Sequence, residues 1–150
     1  MKKDVVILVA EDDEGHAELI RRNLARSGIV NEILHFKDGQ EILDFLLGEG
    51  NGPHREFETA YVLLLDIRMP KVDGTEVLRQ VRAHPELRKL PVVMVTTTDD
   101  PREVENCHAL GCSSYITKPV SSGTFMEAIR QLGLFLAVVE VPVIDGEGVG

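Results

Sequence analysis

Along most of the chain, short apolar runs alternate with segments whose apolar residues recur every three or four positions. The runs VVILVA (5–10), EILHF (32–36), YVLLL (61–65), PVVMV (91–95) and SSYIT (113–117) read as strands. Three of them are apolar without a break, the pattern of parallel strands covered on both faces. Between them lie amphipathic stripes: Ala17, Ile20 and Leu24, then Ile42, Phe45 and Leu46, then Val77, Leu78 and Val81. Asp99, Asp100 and Pro101 announce a fourth helix that Gly111 stops, and Ser121 or Ser122 caps a fifth carrying Phe125, Ala128, Ile129 and Leu132 inward. Five such units predict an α/β fold, a doubly wound five-stranded parallel sheet with helices on both sides. Its functional crevice is expected beyond the carboxyl ends of the strands, where strand order reverses.

The residues at that edge are polar. The first strand runs into Glu11, Asp12 and Asp13, the third into Asp66, the fourth into Thr96, Thr97 and Thr98, and the fifth into Thr117, Lys118 and Pro119. Each has a bland reading: Asp12 or Asp13 as a helix cap, Thr96 as an ordinary strand residue, Lys118 as a solvated charge. Their convergence from distant segments is what those readings fail to explain. Carboxylates side by side repel unless something positive sits among them. Oxygen ligands without His or Cys select a hard cation, and an open site suits Mg²⁺. Lys118 adds a positive charge and Thr96 a hydroxyl, which leaves Asp66 as a nucleophile able to accept a phosphoryl group.

Composition narrows the setting. With 150 residues, 43% of them apolar, the chain suffices for one core and leaves no room for a separate output domain. The apolar runs before the C-terminus are far shorter than the ~20 residues of a membrane helix, and the acids after MKKDVVILVA do not suit a secretory signal. A cytoplasmic protein is expected. The formal charge of −9 disfavours nucleic acid. Cys107 and Cys112 have neither metal nor disulfide spacing and read as buried, reduced thiols.

The acidic cluster in ILVAEDD, the stretch LLLDIRMPKVDG, the motif VVMVTTTDD and the ending YITKP together resemble the receiver domain of two-component response regulators over about residues 4 to 136. The spacing agrees, with thirty residues from Asp66 to Thr96 and twenty-two from Thr96 to Lys118. The resemblance implies that Asp12 binds Mg²⁺ directly, Glu11 through water, and that the Arg68 backbone carbonyl completes the protein ligands. It implies Asp66 as the phosphorylated aspartate, Thr96 as the switch hydroxyl, Tyr115 as the aromatic that changes rotamer with it, and Lys118 as the family's lysine. Pro119 implies a cis Lys118–Pro119 bond, which X-Pro permits. Asp13 is assigned to the helix start.

Two features depart from a generic receiver. LGEGNGPHREFETA, residues 47–60, lengthens the connection to the third strand and reads as a solvated loop, with His54 lacking any partner for a metal role. LGLFLAVVEVPVI, residues 132–144, is apolar all round and must be covered, either by its own domain or, as we prefer, by a twin in a homodimer. Residues 137–150 are thus expected to form an arm and a tail without fixed structure. These features, with GHAELIRRNL and FKDGQEILDFL, resemble the stand-alone receivers that accompany phytochrome-type histidine kinases, which implies such a kinase as partner.

Two other readings compete. A haloacid-dehalogenase-like phosphatase also places a nucleophilic aspartate after a strand, but expects a second acid where Arg68 stands. A pseudo-receiver that binds without being phosphorylated is poorly motivated while Glu11, Asp12, Asp66, Thr96 and Lys118 are all present.

Overall fold

The computed structural model describes residues 5–26, 29–118 and Ile144. Nine elements follow in the order β1 (Val5–Ala10), α1 (Glu14–Arg26), β2 (Ile33–Phe36), α2 (Gly39–Leu47), β3 (Ala60–Leu65), α3 (Gly74–Ala83), β4 (Val92–Thr96), α4 (Pro101–Leu110) and β5 (Ser114–Thr117). The strands form one parallel sheet in the order β2-β1-β3-β4-β5. This 2-1-3-4-5 order is that of a doubly wound parallel sheet, as the strand and helix pattern predicts.

Alternation along the strands explains the unbroken apolar runs. On β3, Tyr61, Leu63 and Leu65 enter the core shared with Ile42, Phe45 and Leu46 of α2 and Val77, Leu78 and Val81 of α3. Ala60, Val62 and Leu64 of the same strand enter the opposite core with Ile20 and Leu24 of α1. All six residues are buried, so no polar side is needed. Burying each large side chain contributes up to about 1.5–3 kcal/mol, which makes β3 the apolar backbone of the domain.

The strand ends differ by a residue from expectation. β4 starts at Val92, because Pro91 has no N–H to give to the ladder, and it takes in Thr96, which pairs with Thr117. The cap and stop expected for α4 are present, and α2 and α3 carry caps of the same kind. Asp38, Asp73 and Asp100 accept N–H bonds in the first turns of α2, α3 and α4, at 2.8, 2.9 and 2.9 Å. Gly48 and Gly111 close α2 and α4 in the left-handed conformation that glycine adopts without a Cβ penalty.

The 47–60 connection is mostly exposed, as a solvated loop should be, with Phe57 at 70%. It is nevertheless anchored, at Glu56, whose N–H bonds the Tyr61 hydroxyl at 2.9 Å, and at Arg55. Arg55 gives its N–H to Phe45 O at 3.0 Å and its Nε–H to Leu46 O at 2.9 Å, satisfying carbonyls at the end of α2. The fifth helix, the Lys118–Pro119 bond, the arm and the tail fall outside the described residues, apart from Ile144, which is buried in the α2–α3 core. Cys107 and Cys112 are free and buried, and burial pushes the Cys107 thiol up to about 11. Among the described residues no helix is long and apolar enough to cross a membrane.

Candidate functional site

β2 and β3 lie on opposite sides of β1, so strand order reverses there and the chain leaves β1 and β3 into a shared crevice. Ladder bonds carry the backbone one residue past each strand. Glu11 N–H reaches Phe36 O and Asp66 N–H reaches Ala10 O, both at 3.0 Å. Those bonds hold both carboxylates at the rim of the sheet, with Glu11 1% and Asp66 7% exposed. Asp12, between them in sequence order, is open to solvent.

A glycine sets the turn after Asp66. Gly74 N–H closes on Ile67 O at 2.7 Å, and a Cβ on Gly74 would lie 2.0 Å from the Asp66 carbonyl oxygen. Only glycine lets the start of α3 approach the Asp66 backbone so closely. On the other flank, Thr96 ends β4 fully buried, and Lys118 N–H bonds Thr96 O at 2.5 Å as the chain leaves β5.

The side chains converge. Glu11, Asp12 and Asp66 each bring a carboxylate oxygen within 4.8 Å of the others. Lys118 Nζ, 3% exposed, lies 2.5 Å from Glu11 Oε1 and 3.5 Å from Asp66 Oδ2. Burial pushes the Glu11 carboxyl up to about 7 against the pull of its Lys118 hydrogen bond. Asp13 stands apart as the α1 cap: its carboxylate accepts His16 N–H at 2.9 Å, which holds its pKa below the usual carboxylate range.

Arg68, two residues past Asp66, has an exposed guanidinium 3.5 Å from Glu103 Oε2 on α4. Tyr115 is half-buried on β5 and donates its hydroxyl to Thr98 O at 2.8 Å, tying that strand to the β4–α4 loop. Burial pushes the Tyr115 phenol up to about 12. Among the described residues, His54 bonds the carbonyls of Glu49 and Gly50, within its own loop.

Three carboxylates facing one ammonium leave an excess of negative charge. Among the described residues, Asp66 Oδ1 and Thr96 Oγ1 are buried with no hydrogen-bond partner, which native interiors rarely tolerate without a ligand to answer them. An oxygen-only donor set with one open member fits a hard dication, Mg²⁺ above all.

Two histidines join the site that the strand-end reasoning did not include. His35 Nε2 donates to Glu11 O at 2.6 Å, and His16 Nδ1 lies 2.9 Å from Lys118 Nζ. His16 was within reach of sequence reasoning, because the first turn of a helix that follows an acidic strand end must flank that end. His35 was not, since its contact depends on β2 lying beside β1.

Buried acids, a lysine and a hydroxyl gathered at the switch point of a parallel sheet define a domain built to take a phosphoryl group on a carboxylate. The chain belongs to the response regulator receiver domain family, whose model matches residues 7–130. It is similar to response regulator Rcp1 of Synechocystis, at 33% identity over 138 residues covering 91% of this chain and 92% of Rcp1. The Mn(2+)-bound form of Rcp1 superposes with a TM-score of 0.77 at 30% identity, over 92% of this chain and 99% of that one. A response regulator receiver domain from Rhodospirillum rubrum gives 0.82 at 45% identity, over 94% and 99% of the two chains. The bacteriophytochrome response regulator RtBRR gives 0.75 at 41% identity, over 97% and 86%. The chain is therefore a phosphoryl acceptor of two-component signalling that uses Mg²⁺ and interacts with a sensor histidine kinase.

Proposed function

We propose that Asp66 is the phosphoacceptor. The observation that carries this reading is the unanswered oxygen of Asp66: the carboxylate is buried inside the acidic cluster and faces Lys118 at 3.5 Å through Oδ2, while no described residue bonds Oδ1. An Asp66 oxygen attacks phosphorus, the bond from phosphorus to the donor breaks, and the electron pair leaves with the donor. Lys118 gives an N–H to the incoming phosphoryl oxygens. Glu11, Asp12, Asp66 and the backbone carbonyl of Arg68 would hold Mg²⁺, which when bound neutralises charge on those oxygens. The acyl phosphate adds about −1.5 to −2 charge, the load a phosphoryl group carries. Thr96 Oγ1, which is buried, then turns its hydroxyl to this group, and Tyr115 follows through the β4–α4 loop it bonds.

Turnover of external substrates is not part of this reading. At Arg68 a guanidinium stands where a phosphatase would need an acid, and a guanidinium does not release its proton. Residues 4–136 form the receiver and 137–150 an arm, through which, with the C-terminal helix, two chains pair. Loss of dimer on sedimentation after truncation following Gly133 is the expected sign. Similarity to the bacteriophytochrome response regulator RtBRR and the GHAELIRRNL stretch support a phytochrome-type kinase as donor. The charge of −9 supports a protein that binds neither nucleic acid nor an anionic membrane surface, and we place it in the cytoplasm.

The test is incubation with acetyl phosphate and Mg²⁺ followed by intact mass, on wild type and on Asp66→Asn. Only the wild type should gain one phosphoryl group. Equal labelling of the two removes Asp66 from the role.

A further inference from the structure

We propose that His16 is a positioning residue for phosphoryl transfer, holding the Lys118 ammonium in register with Asp66; this rests on the reading of Asp66 as acceptor. An ammonium has three N–H donors and accepts nothing. Lys118 is 3% exposed, so its donors must be met inside the protein. Glu11 Oε1 meets one at 2.5 Å and His16 Nδ1 a second at 2.9 Å, while Asp66 Oδ2 stands at 3.5 Å, close enough for an ion pair and long for a hydrogen bond.

The three acceptors differ in what the reaction asks of them. Glu11 belongs to the acidic cluster that serves the cation, and Asp66 takes the phosphoryl group. Only His16 keeps the same role before and after transfer. Because Lys118 can only donate, the hydrogen bond at 2.9 Å uses Nδ1 as its acceptor, the tautomer that carries its proton on Nε2. A neutral acceptor orients the ammonium without cancelling its charge, whereas a carboxylate does both. The field that Lys118 directs at the phosphoryl oxygens is thereby kept.

Local structure places His16 beside the strand ends. It sits in the first turn of α1, and its backbone N–H is bonded to the capping carboxylate of Asp13 at 2.9 Å. The helix start thus brings the imidazole within reach of the lysine.

The experiment compares wild type, His16→Leu and His16→Asn with acetyl phosphate and Mg²⁺, following phosphoprotein formation by intact mass over time. Leucine fills a similar space with no acceptor, while the asparagine side-chain oxygen falls near the place of Nδ1. We expect His16→Leu to lower the maximal rate about three- to tenfold, the effect of one hydrogen bond, with unchanged half-saturating acetyl phosphate and Mg²⁺. Asparagine should restore most of the rate. In a Lys118→Met background His16→Leu should have no further effect, since the two act as one unit. A wild-type rate for His16→Leu overturns the proposal. So does a loss that asparagine fails to restore, or one that persists without Lys118, since either marks a structural role. Absence of labelling in wild type, or labelling equal to Asp66→Asn, would instead overturn the assignment of Asp66.

Discussion

The two flanks of the crevice treat their buried polar atoms in opposite ways. On the β1 flank, Glu11, His16 and Lys118, whose side chain comes over from the end of β5, satisfy one another at 2.5 and 2.9 Å, so charge is buried and answered within the protein. On the β3–β4 flank, Asp66 Oδ1 and Thr96 Oγ1 are equally buried, yet no described residue bonds them. The first flank is a preorganised electrostatic device whose cost of burial was met on folding. The second stores its hydrogen-bonding capacity for a group that arrives later. The contrast shows how one small site can be both rigid and responsive.

Removing Lys118 breaks the satisfied flank. Lys118→Met strands the Glu11 carboxylate beside Asp66 and should destabilise the metal-free protein by about 3 kcal/mol in urea unfolding, the size typical of halving a buried pair. A cost below ~0.5 kcal/mol would mean the pair is less buried than its 2% and 1% side-chain exposures indicate.

Acid should act next. Glu11, pushed up to about 7 by burial, holds a proton below that pH which the cation must displace. Mg²⁺ affinity should therefore fall roughly tenfold per pH unit below about 7 and level off above it, as one displaced proton requires. The sign for folding is the reverse. Between the ordinary value of 4.5 and about 7 the folded state keeps a proton that the unfolded chain has lost. That contribution to metal-free stability is full below 4.5 and gone above about 7. Titration calorimetry at several pH values checks the first statement, and thermal melts without metal check the second.

The smallest effect sharpens the comparison most. Thr96→Val removes a buried hydroxyl that no described residue bonds, so unphosphorylated stability should hold or rise by up to about 1 kcal/mol. Phosphorylation of the variant should proceed, but the conformational response that Tyr115 reports by fluorescence should be lost. A destabilised Thr96→Val would show that its hydroxyl already has a partner and that the two flanks do not differ.

Legibility followed the range of the interactions. The cap at Asp100 and the stop at Gly111 are decided within a few residues, and patterning reads both; the caps at Asp38 and Asp73 and the stop at Gly48 are equally local but went unread. Asp66, Glu11, Thr96 and Lys118 were legible as a group because parallel βα units bring all strand ends to one edge. The roles of His16 and His35 were less so, since each is set by a neighbour far along the chain: Lys118 for His16, Glu11 for His35. The 47–60 loop was read as solvated, and its Arg55 anchor on α2 depends on open carbonyls that a linear pattern does not display.

The order of elements, the double-sided core and the choice of an oxygen-only site were determined by the sequence alone, because apolar periodicity and turn chemistry act locally and parallel crossovers bring the strand ends to one edge. Which ammonium hydrogen meets which acceptor, how far burial lifts Glu11, and which oxygens go unanswered were decided only by tertiary structure. Those quantities depend on distances of a few ångströms and on exclusion of water, and both arise only when segments a hundred residues apart are packed together.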